Sequence, residues 1–337
     1  MHHCSVRAGL FGLGLLLATA GHAADRELVV YTYDSFASEW GPGPKVKAAF
    51  EAECGDCSLR FVALDSSAGI LNRVQLEGKG SEADIVLGLD TNLMAEAEAS
   101  GLLADSGADL SALDLPVEWQ SDIFVPYDYG YFAFIYDSEK LPEPPASFDE
   151  LINAPDDLQV IITDPRTSTP GLGLMLWMKA VYGDKANAAW EKFSDNILTV
   201  TKGWSEAYFS LFMNGEAPMV LSYSTSPAYH MAIDKTDRYQ AARFSDGHYL
   251  QVEVAALLKS SDEPELGRQF LQFMLDERFQ RELPLTNVMY PATDIGDALP
   301  AVFSRLIDPE PVLQFQPEEI RANRKLWIDE WLGVMSR

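Results

Sequence analysis

From residue 28 onward, short runs of β-branched and aromatic residues alternate with segments whose apolar positions recur every three or four residues. That alternation predicts strands interleaved with helices, an α/β fold. Residues 28–33 read as a buried strand, 34–43 as a loop, and Pro44 as the opening of a helix that turns Val46 and Phe50 inward. Strands are expected at 59–64 and 84–89, with helices at 70–77 and 93–99.

Two stretches break this rhythm. Residues 123–137 form an extended run too long for one ordinary strand, and Pro126 and Gly130 are placed to interrupt its ladder. A strand passing from one lobe to another accounts for such a run. Residues 249–258 form a second long alternating stretch, read as a return crossing. Between the two, the pattern repeats: strands at 159–163, 197–201 and 218–223, helices at 171–182, 186–194 and 204–213. Helices at 264–282 and 317–336 follow, the first aligning Leu266, Phe270, Phe273 and Met274, the second Ile320, Trp327, Trp331 and Val334. Two crossings predict two α/β lobes, residues 24–127 with 250–337 and residues 128–249. A cleft between them is where a small ligand is expected.

The first 23 residues lie outside this pattern. Arg7, the apolar run 10–18 and Gly21-His22-Ala23 read as a secretory signal, too short to span a membrane. No cysteine stands at the cleavage position, so no lipid anchor is expected. The mature protein should be soluble and exported. Losing the signal removes Arg7 and no acid, leaving 24 basic against 51 acidic residues, a balance of −27. Such a charge excludes nucleic acid as a partner. It keeps an exported protein soluble and concentrates cations near its surface. Cys54 and Cys57, in Cys-Gly-Asp-Cys, are the cysteines left after the signal. A structural zinc site needs about four ligands, so a local disulfide is the expected state in an oxidising compartment. A redox-active pair is the weaker reading, because no helix N-terminus is placed to lower a thiol pKa.

Signals for catalysis are thin. Beyond the signal only His230 and His248 remain as histidines, neither in a recognisable motif, and both are expected to be structural. No GxSxG, HExxH, P-loop or GxGxxG pattern occurs. The suggestive polar residues sit instead in four loops. Tyr33, Asp34 and Trp40 follow the first strand, and Asp65-Ser66-Ser67 follow the second, at strand ends where open α/β sheets bind ligands. In Asp164–Gly173, Thr169 caps a helix with Pro170 at its first position, and this hydroxyl-rich start suits an anion such as phosphate, with Arg166 adding charge. The fourth group joins Lys202–Glu206, which contains Trp204, to the stretch from Tyr223 through Ser224, Thr225 and Ser226 to Tyr229. Aromatic faces attract cations by ~0.5–2 kcal/mol each, which favours a flat, cationic or heteroaromatic ligand.

Several long blocks carry a family resemblance: Val30–Phe36, Trp40–Pro44, Phe124–Phe134, Asp164–Gly171, Thr201–Tyr208 and Ser222–Tyr229. Together they resemble the periplasmic thiamine-binding proteins of ABC importers, over essentially the whole mature chain. The resemblance implies a two-lobed type II periplasmic-binding-protein fold. The implied activity is capture of thiamine, thiamine monophosphate or thiamine pyrophosphate and delivery to a membrane permease with its ATPase. It implies no catalytic residue, metal or cofactor, a periplasmic location and a monomer. Carried over by position, the family's ligand contacts fall on Ser66, Ser67, Ser168, Thr169, Trp204 and Tyr223–Ser226, with the matching aromatics Tyr33 and Tyr229 beside them; Asp34, from the first loop, completes the expected set. Two departures stand out. The family has tryptophan where Val288 stands and Asp-Gly where Ser66-Ser67 stand, so one stacking surface and one carboxylate are missing. The competing expectations are another small solute, such as a ferric ion held by tyrosines, or an exported enzyme that processes thiamine.

Overall fold

The structure is a computed structural model describing Met1 and residues 26–336, so the expected secretory signal lies, apart from Met1, outside the described residues. Among the described residues no helix is long and apolar enough to cross a membrane.

The chain opens with β1 (Arg26–Tyr33), α1 (Gly43–Cys54), β2 (Cys57–Leu64), α2 (Ser67–Glu77), β3 (Ile85–Asp90) and α3 (Met94–Ala99). Val46 and Phe50 on α1 are fully buried, as the apolar spacing requires. Cys54 and Cys57, between α1 and β2, are disulfide-bonded, with Cα atoms 5.8 Å apart. After a long connection come β4 (Val125–Asp137), β5 (Val160–Thr163), α4 (Thr169–Tyr182), α5 (Ala186–Phe193), β6 (Ile197–Thr201), β7 (Met219–Tyr223) and β8 (His248–Leu258). The last long elements are α6 (Pro264–Phe273) and α7 (Pro317–Met335).

These strands join in the order β2-β1-β3-β8-β4-β7-β5-β6. At each end the pairs are parallel, β2-β1-β3 and β7-β5-β6; the central pairs, which involve β8 and β4, are antiparallel. The first half of β4 pairs with β8 and its second half with β7, the partner changing between Tyr131 and Phe132. One strand therefore serves both halves of the sheet. Pro126 does not end it: the residue lies where the β4–β8 register shifts beside Val254, a bulge at which a missing N–H is tolerated. Gly130 leaves room for the end of the Met289 side chain. A Cβ there would stand 2.8 Å from Met289 Cε, below any normal contact.

Two expected helices differ. The run 264–282 breaks after Phe273 and resumes at Glu277–Gln280, because the Asp276 side chain accepts from the Arg278 N–H and caps a new turn. The segment expected as a helix at 204–213 forms a π-helix over Glu206–Phe212, in which the Met213 N–H reaches back five residues to the Tyr208 carbonyl. Such widened turns are rare and gather at functional sites. Helix α7 packs against α3, α4 and α5, with Trp331 edge-on to Trp190 and Glu330 accepting from Lys179 Nζ at 2.6 Å. It thereby ties the two ends of the sheet together across their backs.

Candidate functional site

A cleft of about 980 Å³ opens where the two halves of the sheet meet, at the C-terminal ends of β1, β2, β6 and β7. Its walls are aromatic. Trp204 stacks on Tyr208 with centroids 5.1 Å apart, and its Nε1 donates to Ser222 Oγ at 2.8 Å. Tyr223 leans on Phe132 at 5.1 Å, its hydroxyl donating to Gln251 Oε1 at 3.0 Å. Both rings are therefore held in place before any ligand arrives. At the rim, half-exposed Trp40 and Phe209 meet edge to face at 5.7 Å, and Lys202 pairs with Asp65.

One end of the cleft is built from two helix starts. Ser66 caps α2 by accepting from the Gly69 N–H, whereas Thr169 does not cap α4 as expected: it is the helix's first residue, follows Ser168 and precedes Pro170, and its hydroxyl meets Ser67 instead. Ser67 Oγ and Thr169 Oγ1 stand 2.8 Å apart, so these N-termini face each other. Unpaired N–H groups and dipole ends of this kind favour an anionic group.

The floor is different in character. Glu253, on β8, lines the cleft and is only 6% exposed. Its carboxylate accepts from the hydroxyls of Tyr33 at 2.8 Å and Tyr127 at 2.9 Å, and from Gln251 Nε2 at 3.2 Å. Asn287 Nδ2 bridges Asp128 Oδ2 at 2.6 Å and Glu253 at 3.2 Å. Burial pushes the Glu253 carboxyl above its ordinary range, and Asp128 well above it, with the Glu253 charge adding to the burial of Asp128. Asp90 rises to about 7 for the same two reasons. Tyr33 reaches this floor because Gly88, at φ 102°, leaves its ring room: a Cβ there would stand 2.3 Å from Tyr33 Cδ1.

Residues 42–281 match the family described as bacterial extracellular solute-binding protein. The thiamine-binding periplasmic protein of Brucella abortus biovar 1 is 55% identical over 321 residues, 95% of either chain. That of Escherichia coli K12 is 54% identical over 323 residues, 96% of this chain and 98% of its own. A solved structure of a periplasmic thiamin binding protein superposes with a TM-score of 0.90 at 52% identity, covering 98% of this chain and 100% of that one. The chain belongs to the bacterial extracellular solute-binding proteins. Its fold is the type II periplasmic-binding-protein fold, and its compartment is the periplasm.

In this solute-binding protein the cleft gathers Tyr33, Asp34, Ser66, Ser67, Ser168, Thr169, Trp204, Tyr223, Ser226 and Tyr229 from the sequence-predicted set. Ser224 and Thr225 are not among its lining; both are buried, and among the described residues neither hydroxyl finds a hydrogen-bond partner. Arg166 does not supply the expected charge, because its guanidinium grips Asp164; Lys45 and Lys202 line the cleft instead. Thr167 likewise turns away, donating to the Lys202 carbonyl at 2.7 Å. His248 is structural: its ring spans the Phe132 carbonyl at 2.8 Å and the Phe244 N–H at 3.1 Å. His230 also lines the cleft, held between the Tyr208 hydroxyl at 2.9 Å and Asp234 at 2.8 Å. Glu253, Asn287, Tyr208 and Phe209 escaped the sequence reading. Val288 lines the cleft at φ 56°, a strained conformation for a β-branched residue.

Proposed function

We propose that this protein captures thiamine and its phosphate esters in the periplasm and hands them to the membrane permease of an ABC importer. The observation that carries the reading is the polarity of the cleft: pinned aromatic faces along its walls, an anionic floor at Glu253, and facing helix starts at Ser67 and Thr169. Thiamine carries a flat pyrimidine and a thiazolium with a fixed positive charge, and its esters add phosphate at one end. Trp204, Tyr223 and Tyr229 would take the rings, the acidic floor would favour the cation, and the helix starts would receive phosphate. The relatives named thiamine-binding, more than half identical over nearly the whole chain, support the same ligand class.

The protein works as a binder, with no reaction at the cleft. Residues 24–127 with 250–337 form one lobe and 128–249 the other, and the lobes close on the ligand through contacts made in the closed state. It acts as a monomer. The cleft gives a ferric ion little to hold, since the hydroxyls of Tyr33 and Tyr223 are engaged by Glu253 and Gln251. Calorimetry with thiamine, its monophosphate, its pyrophosphate and a pyrimidine analogue tests the reading. Saturable binding of the three thiamine species is expected; no heat with any of them, or turnover of thiamine to products, overturns it.

A further inference from the structure

The floor of the cleft holds more acid than its hydrogen bonds require. In the sheet, Glu253 stands directly opposite Asp90 on one side and Asp128 on the other, so three carboxyl groups share one rung across β3, β8 and β4. Directly opposed side chains lie on the same face with Cβ atoms about 4.5–5.5 Å apart, where like charges repel. Asp90 and Asp128 are wholly buried, and of the three acids only Glu253 lines the cleft.

The groups facing Glu253 are Tyr33 from β1, Tyr127 and Asp128 from β4, Gln251 from its own strand and Asn287. Asp90 and Tyr223 sense its charge from β3 and β7. None of these is a cation. Arg324 lies near Asp90, but its guanidinium is held by Glu96. Asp128 Oδ1 receives no donor among the described residues, and the single Asn287 Nδ2 reaches both Asp128 Oδ2 and Glu253 Oε2, so the two opposed carboxyl groups crowd one nitrogen. Two carboxyl groups buried this close together cannot both ionise without a nearby cation, so the pair holds one proton.

We propose that Glu253 is the counter-charge for a ligand bearing a fixed positive charge, that Asp128 positions and shares its proton while the cleft is empty, and that capture expels this proton. The inference rests on the thiamine reading. The balance is simple: the cation enters, the Glu253–Asp128 pair loses one proton to solvent, and no covalent bond forms or breaks. The buried site trades one positive charge for another, so its net charge is the same before and after capture and no buried carboxylate is left without a counter-charge. Affinity then rises with pH while the empty pair still holds its proton, by up to ~10-fold per pH unit, and levels off once that proton is gone.

The test is calorimetry of thiamine binding to the full protein at neutral pH in PIPES and in ACES, two sulfonate buffers with different heats of ionisation that supply neither phosphate nor a simple cation to the cleft. The expected result is a heat that differs between them, corresponding to release approaching one proton per thiamine, and no such difference for an uncharged aminopyrimidine. Asp128→Asn should abolish the buffer dependence for thiamine, and persistence of proton release in that variant would remove Asp128 from the assignment. Thiamine binding to the unaltered protein with equal heats in the two buffers overturns the proposal while leaving the ligand reading intact. No thiamine heat at all removes the ligand reading itself, and the proposal with it.

Discussion

The walls and the floor of the cleft are built on opposite principles. Trp204 and Tyr223 present neutral surfaces fixed by one hydrogen bond each, to Ser222 and Gln251, and neither needs a ligand to be satisfied. The floor gathers Asp90, Glu253 and Asp128 on one rung, and among the described residues no cation faces Glu253. A wall of the first kind recognises shape and ring character, whereas a floor of the second kind recognises charge. Both are needed to separate a flat cation from a flat neutral molecule.

The sharpest way to break the contrast is at the floor. Glu253→Gln keeps the shape and removes the counter-charge, and it should weaken thiamine binding by about 2 kcal/mol or more in a calorimetric titration. On the wall the loss should be smaller. Tyr223→Ala should weaken thiamine by at least ~1 kcal/mol and weaken an uncharged aminopyrimidine by a similar amount. If Tyr223→Ala affects only thiamine, the wall is reading charge after all.

Stability against pH separates the floor from its surroundings. Asp90 has its carboxyl raised to about 7, so the folded state holds its proton more tightly than the unfolded chain does. Its contribution is full below the ordinary carboxylate range and is lost as pH rises through about 7. His248 runs the other way, since burial lowers it to about 4, and its contribution is lost as pH falls from about 6.5 towards 4. In Asp90→Asn the melting temperature should therefore climb more steeply between pH 4 and 7 than in the parent. An unchanged profile would show that Asp90 bears no raised pKa.

The smallest expected effect is at Val288. Its backbone already takes a conformation that costs of order 1–3 kcal/mol, and its side chain borders the cleft. Val288→Trp should tighten thiamine by ~0.5–1 kcal/mol through an added aromatic face. Weaker binding would mean that Met289 and Asn287 have filled the space.

The frame was legible because burial imposes periodicity: the α1 and α6 stripes point where their spacing says. The loops at strand ends were legible for the same topological reason. Glu253 was not, because an alternating strand containing Gln251 and Glu253 reads as having one watery face, whereas both faces of β8 are covered. Ser224 and Thr225 misled in the opposite sense. Four hydroxyl residues in a row look like one surface, but Ser226 turns to the cleft while its two predecessors pack inward. The break at Asp276 was visible only as a capping residue inside an apolar stripe, a signal too local to outweigh the stripe.

The most direct test compares the equilibrium affinity of thiamine with that of its aminopyrimidine half, which lacks the thiazolium, on the same protein at neutral pH. The acidic floor predicts that thiamine binds more tightly by at least ~10-fold, about 1.4 kcal/mol, and that Glu253→Gln narrows this gap. Equal affinities, or a gap that survives Glu253→Gln unchanged, would contradict it.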